Sequence, residues 1–187
     1  MSQRSTCKSR MQALCKTIAT LVLASFALPL SAQVQTDSSQ QVIAFVQHFY
    51  DWYLPIALDQ QKHSAYPLAI TSKPTLFDAT LLRALRDDAA AQTKAMGEID
   101  GLDFDPFLNA QDPPAHYKAV RATGSLVTVI GFDQQTTQPA VALLVEVRCN
   151  GNRCVLVNFH YPANGSTKQA DLLAILRILH PSAQNPR

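Results

Sequence analysis

The stretch Val147-Arg-Cys-Asn-Gly-Asn-Arg-Cys-Val155 restricts the folds open to this chain more than any other segment. Asn150-Gly151 lies between two β-rich runs, and both residues tolerate the positive φ of a tight turn, so the segment reads as a β-hairpin. Two cysteines flanking a four-residue turn then face each other across the strands, within disulfide reach. In an oxidising compartment Cys149 and Cys154 are expected to be bonded. Zinc is the competing use of such a pair, but a second ligand pair at similar spacing is missing. The closed loop is small, so the bond adds a modest entropic gain and mainly pins the register.

The compartment follows from the first 32 residues, which carry Arg4, Lys8, Arg10 and Lys16 and no acid. Thr17 to Leu30 is an uncharged apolar run, closing on Pro29 and followed by Ser31-Ala32. This pattern reads as a secretory signal peptide cut near Ala32. The run is shorter than the ~20 residues of a membrane-spanning helix, and no later stretch approaches that length. An uncleaved anchor is the alternative, since Leu30 fits the cleavage site less well than a small residue, and Met11 offers an alternative start. Cys7 and Cys15 precede the apolar run, where a lipid-accepting cysteine could not be. The mature protein is therefore expected in the periplasm or secreted, without a transmembrane segment, keeping only Cys149 and Cys154.

Taking away the leader reverses the sign of the charge. The whole chain has 16 Lys+Arg against 14 Asp+Glu, or +2, and removing four basic residues leaves 12 against 14, or −2. No basic excess remains to support nucleic-acid binding. A hydrophobic content of 47% with 16% charged residues excludes disorder, collagen and coiled coil. About 150 residues suit one domain able to bury a sizeable core. The expected organisation is a polar tail at 33–40, one domain at 41–181 and a short tail at 182–187.

Within that domain, Gln41 to Leu54 places Val42, Phe45, Val46, Phe49, Tyr50 and Tyr53 at helical spacing, with Pro55 as the stop. Residues 55–73, which include His63 and Tyr66, show no period and read as a loop. A second helix is expected after a capping box of Thr75 and Asp78, with Phe77, Leu81, Leu82 and Leu85 inward and fraying from Gln92 to Gly97. Residues 98–116 form a long proline-rich loop. Four strands are expected near 117–123, 125–133, 139–149 and 154–162. A last helix follows a capping box of Ser166 and Gln169, with Leu172, Leu173, Leu176 and Leu179 on its apolar side. The order indicates an α+β fold: N-terminal helices packed on a curved antiparallel sheet of about four strands, with a C-terminal helix.

Three groups of residues could carry function. Extending the hairpin register from Cys149 opposite Cys154 sets Val145 against Asn158 and Leu143 against His160. Asn158 and His160 then fall on an otherwise apolar face, where they need partners or line a cavity. Glu98, Asp100, Asp103, Asp105 and Asp112 cluster in a loop with no Lys or Arg, where carboxylates can hold a cation, act as a base, or bond their own turns. Phe49-Tyr-Asp51-Trp52-Tyr53 cannot all face one way on a helix, so Asp51 and Trp52 are candidates for exposure. Phosphate loops, dinucleotide fingerprints, nucleophile elbows and His-Glu-x-x-His helices are absent from the sequence.

The segments Phe49-Tyr-Asp-Trp-Tyr53 and Gly101-Leu-Asp-Phe-Asp-Pro-Phe-Leu-Asn-Ala-Gln-Asp112 resemble the exported bacterial YbjP/YqhG family, a domain of unknown function. The resemblance runs from about Val42 to His180. It implies a cystatin-like, nuclear-transport-factor-like cone in which helices pack on a curved sheet, and a cell-envelope role without an assigned reaction. The expected function is a non-catalytic binding or interaction module for an envelope protein or small ligand, with no cofactor. Its candidate binding residues are Trp52, Tyr53, Asp103, Asp105, Asp112, Asn158 and His160. The alternatives are a proton-transfer enzyme using His160 or a loop aspartate with Tyr50 or Tyr53, a calcium-stabilised domain, and an immunity protein against an envelope toxin.

Overall fold

A computed structural model describes residues 30–59, 65–95, 101–133, 141–163 and 170–181. Residues 1–29, which hold most of the expected leader, His63, Glu98, Asp100, the expected Ser166 and Gln169 capping box and the 182–187 segment lie outside the described residues. The fold is α+β. Helix α1 (Leu30–Ala57) is followed by α2 (Ala65–Ser72), a 3-10 turn (Pro74–Leu76) and α3 (Ala79–Lys94). Strands β1 (His116–Thr123), β2 (Leu126–Phe132), β3 (Val141–Asn150), β4 (Arg153–Tyr161) and the two-residue β5 (Ala170–Asp171) precede α4 (Leu172–Leu179). The five strands form one antiparallel sheet in sequence order.

Several local expectations change. α1 begins at Leu30, so the 33–40 segment is helical, and the helix passes through Pro55 to Ala57. A proline so near the C-terminus forfeits one backbone bond, and Leu58 N–H still reaches Leu54 O across it at 2.9 Å. The expected loop before Lys73 contains α2, which buries Tyr66, Ala69 and Ile70. Two turns are too few to establish a visible period. Asp78, not Thr75, caps α3, its carboxylate accepting from Thr80 N–H at 2.9 Å, because Pro74–Leu76 forms its own turn. α4 is capped by Asp171, which accepts from Ala174 N–H at 2.9 Å.

The hairpin forms as its sequence dictates. Cys149 and Cys154 are bonded, with Gly151 at φ 58° in the turn. Alternation along β2 and β3 sends Val127, Val129, Leu143, Val145 and Val147 to the core face. On β4, however, Val147 pairs with Leu156 while Glu146 pairs with Asn158, leaving Val157 as a β-bulge. One extra residue reverses the facing of everything beyond it. Val145 therefore meets Phe159 and Leu144 meets His160. Phe159 and Tyr161 turn into the core, and Asn158 and His160 turn to the opposite face.

Candidate functional site

The loop after Gly101 sends Leu102, Phe107 and Leu108 into the core. Asp105 N–H bonds Ala110 O at 3.1 Å, and the Asp105 carboxylate folds forward to accept from Phe107 N–H at 2.9 Å and Leu108 N–H at 3.1 Å. These local bonds turn the Asp-Pro segment tightly and drive Phe107 and Leu108 inward, where both are fully buried. A buried loop must satisfy its backbone carbonyls, and here tyrosine hydroxyls do so. Tyr161 donates to Pro106 O at 2.7 Å, Tyr50 to Phe107 O at 2.9 Å and Tyr117 to Leu108 O at 2.9 Å. Tyr53 donates to the Asp105 carboxylate at 2.5 Å. Four tyrosines from α1, β1 and β4 thus clasp four successive residues.

Phe107 fills the space between α1 and the sheet. Its ring meets Phe49, Tyr53, Phe77 and Phe159 at centroid distances of 5.0–5.5 Å, two of these contacts edge-to-face.

Burial is the largest influence on Asp105. It pushes the carboxyl up to about 6, against the opposing pull of the Tyr53 hydroxyl and two backbone amides. The same carboxylate, with burial as the larger cause, raises Tyr53 well above the usual phenol range. In the unfolded chain an aspartate titrates near ~3.9, so between about pH 4 and 6 the folded state retains a proton that the unfolded state has lost. The contribution of Asp105 to stability is therefore full below about pH 4 and falls as pH rises through 6, by about 2–3 kcal/mol. Asp105→Asn keeps an acceptor for both amides and never ionises. We expect it to match the parent at pH 4 and to be more stable by about that amount at pH 7. Urea unfolding from pH 4 to 7 checks this, and parallel stability curves for the two proteins would contradict it.

A second carboxylate, this one wholly buried, ties the helices together. Asp88 on α3 is wholly buried, and its two oxygens accept from Tyr66 Oη at 2.5 Å, Gln92 Nε2 at 3.0 Å, Leu102 N at 3.2 Å and His180 Nε2 at 2.7 Å. Its partners come from α2, α3, the clasped loop and the end of α4. Gly101, at φ 107°, passes so close that a Cβ there would lie 2.5 Å from Asp88 Oδ1. Asp88 follows Leu81 and Leu85 on the same helical face, and a polar group on that apolar stripe was the signal that could have revealed it.

The expected binding residues are dispersed. Tyr53 and Asp105 meet in the core. Trp52 is partly buried beside Phe49 and Tyr53, with Lys73 Nζ 4.1 Å above its ring. Asp51, Asp103 and Asp112 are exposed. Asn158 is nearly buried and serves α4: its Oδ1 accepts from Leu173 N at 3.1 Å and its Nδ2 donates to Asp171 at 3.0 Å. His160 Nε2 lies 3.1 Å from Glu146 Oε2, away from the core face. Among the described residues, no three His, Cys, Asp or Glu converge to hold a metal ion, and no helix is long and apolar enough to cross a membrane.

Among the described residues, the cavities that open on the surface include a groove and a notch. A groove of about 910 Å³ runs between α1 and β1, with Ile43, Ala44, Leu54 and Phe132 among its apolar lining and His48 and Lys118 among its polar groups. A notch of about 140 Å³ between α3 and α4 is bordered by Arg83, Asp87, Arg177 and His180.

No family model matches the sequence, and no curated protein matches it. Among solved structures, the chain is similar to a crystal structure of a protein of unknown function from Bacteroides thetaiotaomicron VPI-5482, at 17% identity and a TM-score of 0.46. The match covers 69% of this chain and 97% of the other.

Proposed function

We propose that the protein is a non-catalytic binding module of the bacterial cell envelope that engages an envelope protein on its outer surface. The observation that carries this reading is the filled interior: Phe107 and Leu108 occupy the space in which a ligand or a proton-transfer reaction would need an open pocket. The basic leader before its apolar run and the bonded Cys149–Cys154 pair support export to an oxidising compartment. Membership of the YbjP/YqhG family belongs to the same proposal. The Gly101–Asp112 motif on which that resemblance rests supports the core, through Gly101 against Asp88 and Asp105 beneath Tyr53. Such a motif maintains a shape, and a maintained shape with a filled interior acts through its surface.

The α1–β1 groove is the surface we assign to the partner, because it is larger than the notch and combines apolar floor with polar rim. A photo-crosslinking residue placed at His48 or Lys118 in the groove is expected to give a discrete adduct in cell envelopes. The same residue at the exposed positions Asp112 and Thr123 is expected to give none. Absence of any adduct from both groove positions would overturn the reading.

A further inference from the structure

We propose that two copies of this chain associate face to face through the outer surface of the sheet, about a two-fold axis that runs along the strands between β2 and β3. This goes beyond the reading above and does not depend on it. The β2 sequence Leu126-Val-Thr-Val-Ile-Gly-Phe132 is apolar on both faces, whereas a strand with one solvated face alternates apolar and polar residues. Its inner residues Val127 and Val129 lie in the core with Val46, Phe49 and Tyr53 of α1. Leu126, Ile130, Leu144 and Val155 point the other way and are half-buried. Among the described residues they belong neither to the core nor to the side chains packed against it. The edges of the sheet are closed to added strands: Gln47 of α1 caps β1, its Nε2 donating to Tyr117 O at 3.2 Å and its Oε1 accepting from Ala119 N at 2.9 Å. On the other side β5 pairs with the end of β4, and Asp78 N–H bonds Leu156 O at 2.8 Å. α4 packs along α3, β4 and β5, which leaves the outer face of β1 to β3 as the open apolar surface.

Charge identifies the occupant. Strand pairing sets Arg121, Thr128, Leu144, His160 and Asp171 in one row across the sheet. The β1 end of this face is basic, with Arg121 and Lys118 both exposed. The opposite end is acidic, with Asp171 on β5 and Glu146 on β3, whose carboxylate lies 3.1 Å from His160. Arg148 is ion-paired with Asp78, and Arg153 lies out at the hairpin tip opposite Asn150. Two identical faces can be related by a two-fold axis in their common plane, either across the strands or along them. An axis across the strands sets β1 on its own copy, with Arg121 and Lys118 against like charges. An axis along the strands sets β1 over the other copy's β4 and β2 over its β3. Arg121 of each copy then meets the Glu146–His160 pair of the other, and Thr128 meets Leu144. The face is complementary to itself, basic rim on acidic rim around an apolar centre.

Sedimentation equilibrium from micromolar to millimolar concentration tests this. We expect a monomer–dimer equilibrium for the parent and no dimer for Leu144→Lys or Ile130→Lys, each of which puts a charge into the apolar centre. Urea unfolding of both variants checks that the monomer remains folded. Arg121→Glu and Glu146→Arg are each expected to weaken the dimer about tenfold, because symmetry counts every altered pair twice. An equimolar mixture of those two variants is expected to recover the parent affinity, since each arginine then meets a glutamate across the interface. A parent that stays monomeric to millimolar concentration overturns the inference, as it would if a different protein covered this face. A dimer that survives both lysine substitutions also overturns it, by placing the contact elsewhere. A mixture no tighter than its separate components overturns the axis along the strands.

Discussion

Phe107→Ala is expected to remove about 3–5 kcal/mol of stability, the range for emptying a buried phenylalanine site. Domains of this size hold about 5–15 kcal/mol in total, so the variant sits near its unfolding threshold at room temperature. The loss has two parts. Ring contacts with Phe49, Tyr53, Phe77 and Phe159 disappear, and the cavity left behind cannot collapse, because tyrosine hydroxyls anchor the backbone on both sides of it. Phe104→Ala is the comparison: Phe104 lies in the same loop but is partly buried, with a ring contact to Tyr161, and should lose clearly less. Urea unfolding of both variants gives the measurement. A loss under about 1 kcal/mol at Phe107 would mean that the loop does not fill the core as described.

Asp88→Ala should be comparably severe, at about 3–5 kcal/mol, for a different reason. The side chain is small, so little apolar packing is lost. Removing it instead strands the Tyr66 hydroxyl, the Gln92 amide, the Leu102 N–H and the His180 imidazole without their shared acceptor, in a site with no access to bulk water. Asp88→Asn should recover part of the loss, since it keeps one acceptor oxygen but points an amide donor at donors. Thermal unfolding ranks the three proteins, with the parent first, Asn second and Ala last. If Ala and Asn unfolded at the parent temperature, Asp88 would not be the tie between α2, α3, α4 and the loop.

Much of the architecture was legible in the residues. The Asn150-Gly151 turn and its flanking cysteines define a hairpin because only a few residue types accept positive φ, and two such half-cystines have few other places to go. The four main strands and the apolar faces of α1 and α3 follow from periodicity, which is a local property; on α4 Leu172 and Leu176 are buried as expected, but Leu179, expected on the same side, is exposed. What failed was short or shifted. α2 offers two turns of pattern, and the bulge at Val157 carries no sequence mark, so a register extended beyond it put Asn158 and His160 on the core face.

The candidate site was legible only as a list of residue types. Tyr53 and Asp105 were both named, but their meeting at 2.5 Å across 52 residues was not foreseen, nor was the buried role of Asp88 or the edge-capping role of Gln47. The sequence by itself determined an α+β chain with a disulfide-pinned hairpin, since turn chemistry, cysteine spacing and hydrophobic period act between near neighbours. Only the tertiary structure decided that the acidic, proline-rich loop turns inward and fills the core. That outcome depends on Tyr50, Tyr53, Tyr117 and Tyr161 converging from three elements to satisfy a buried backbone, and convergence of distant groups is a property of packing that no local pattern encodes.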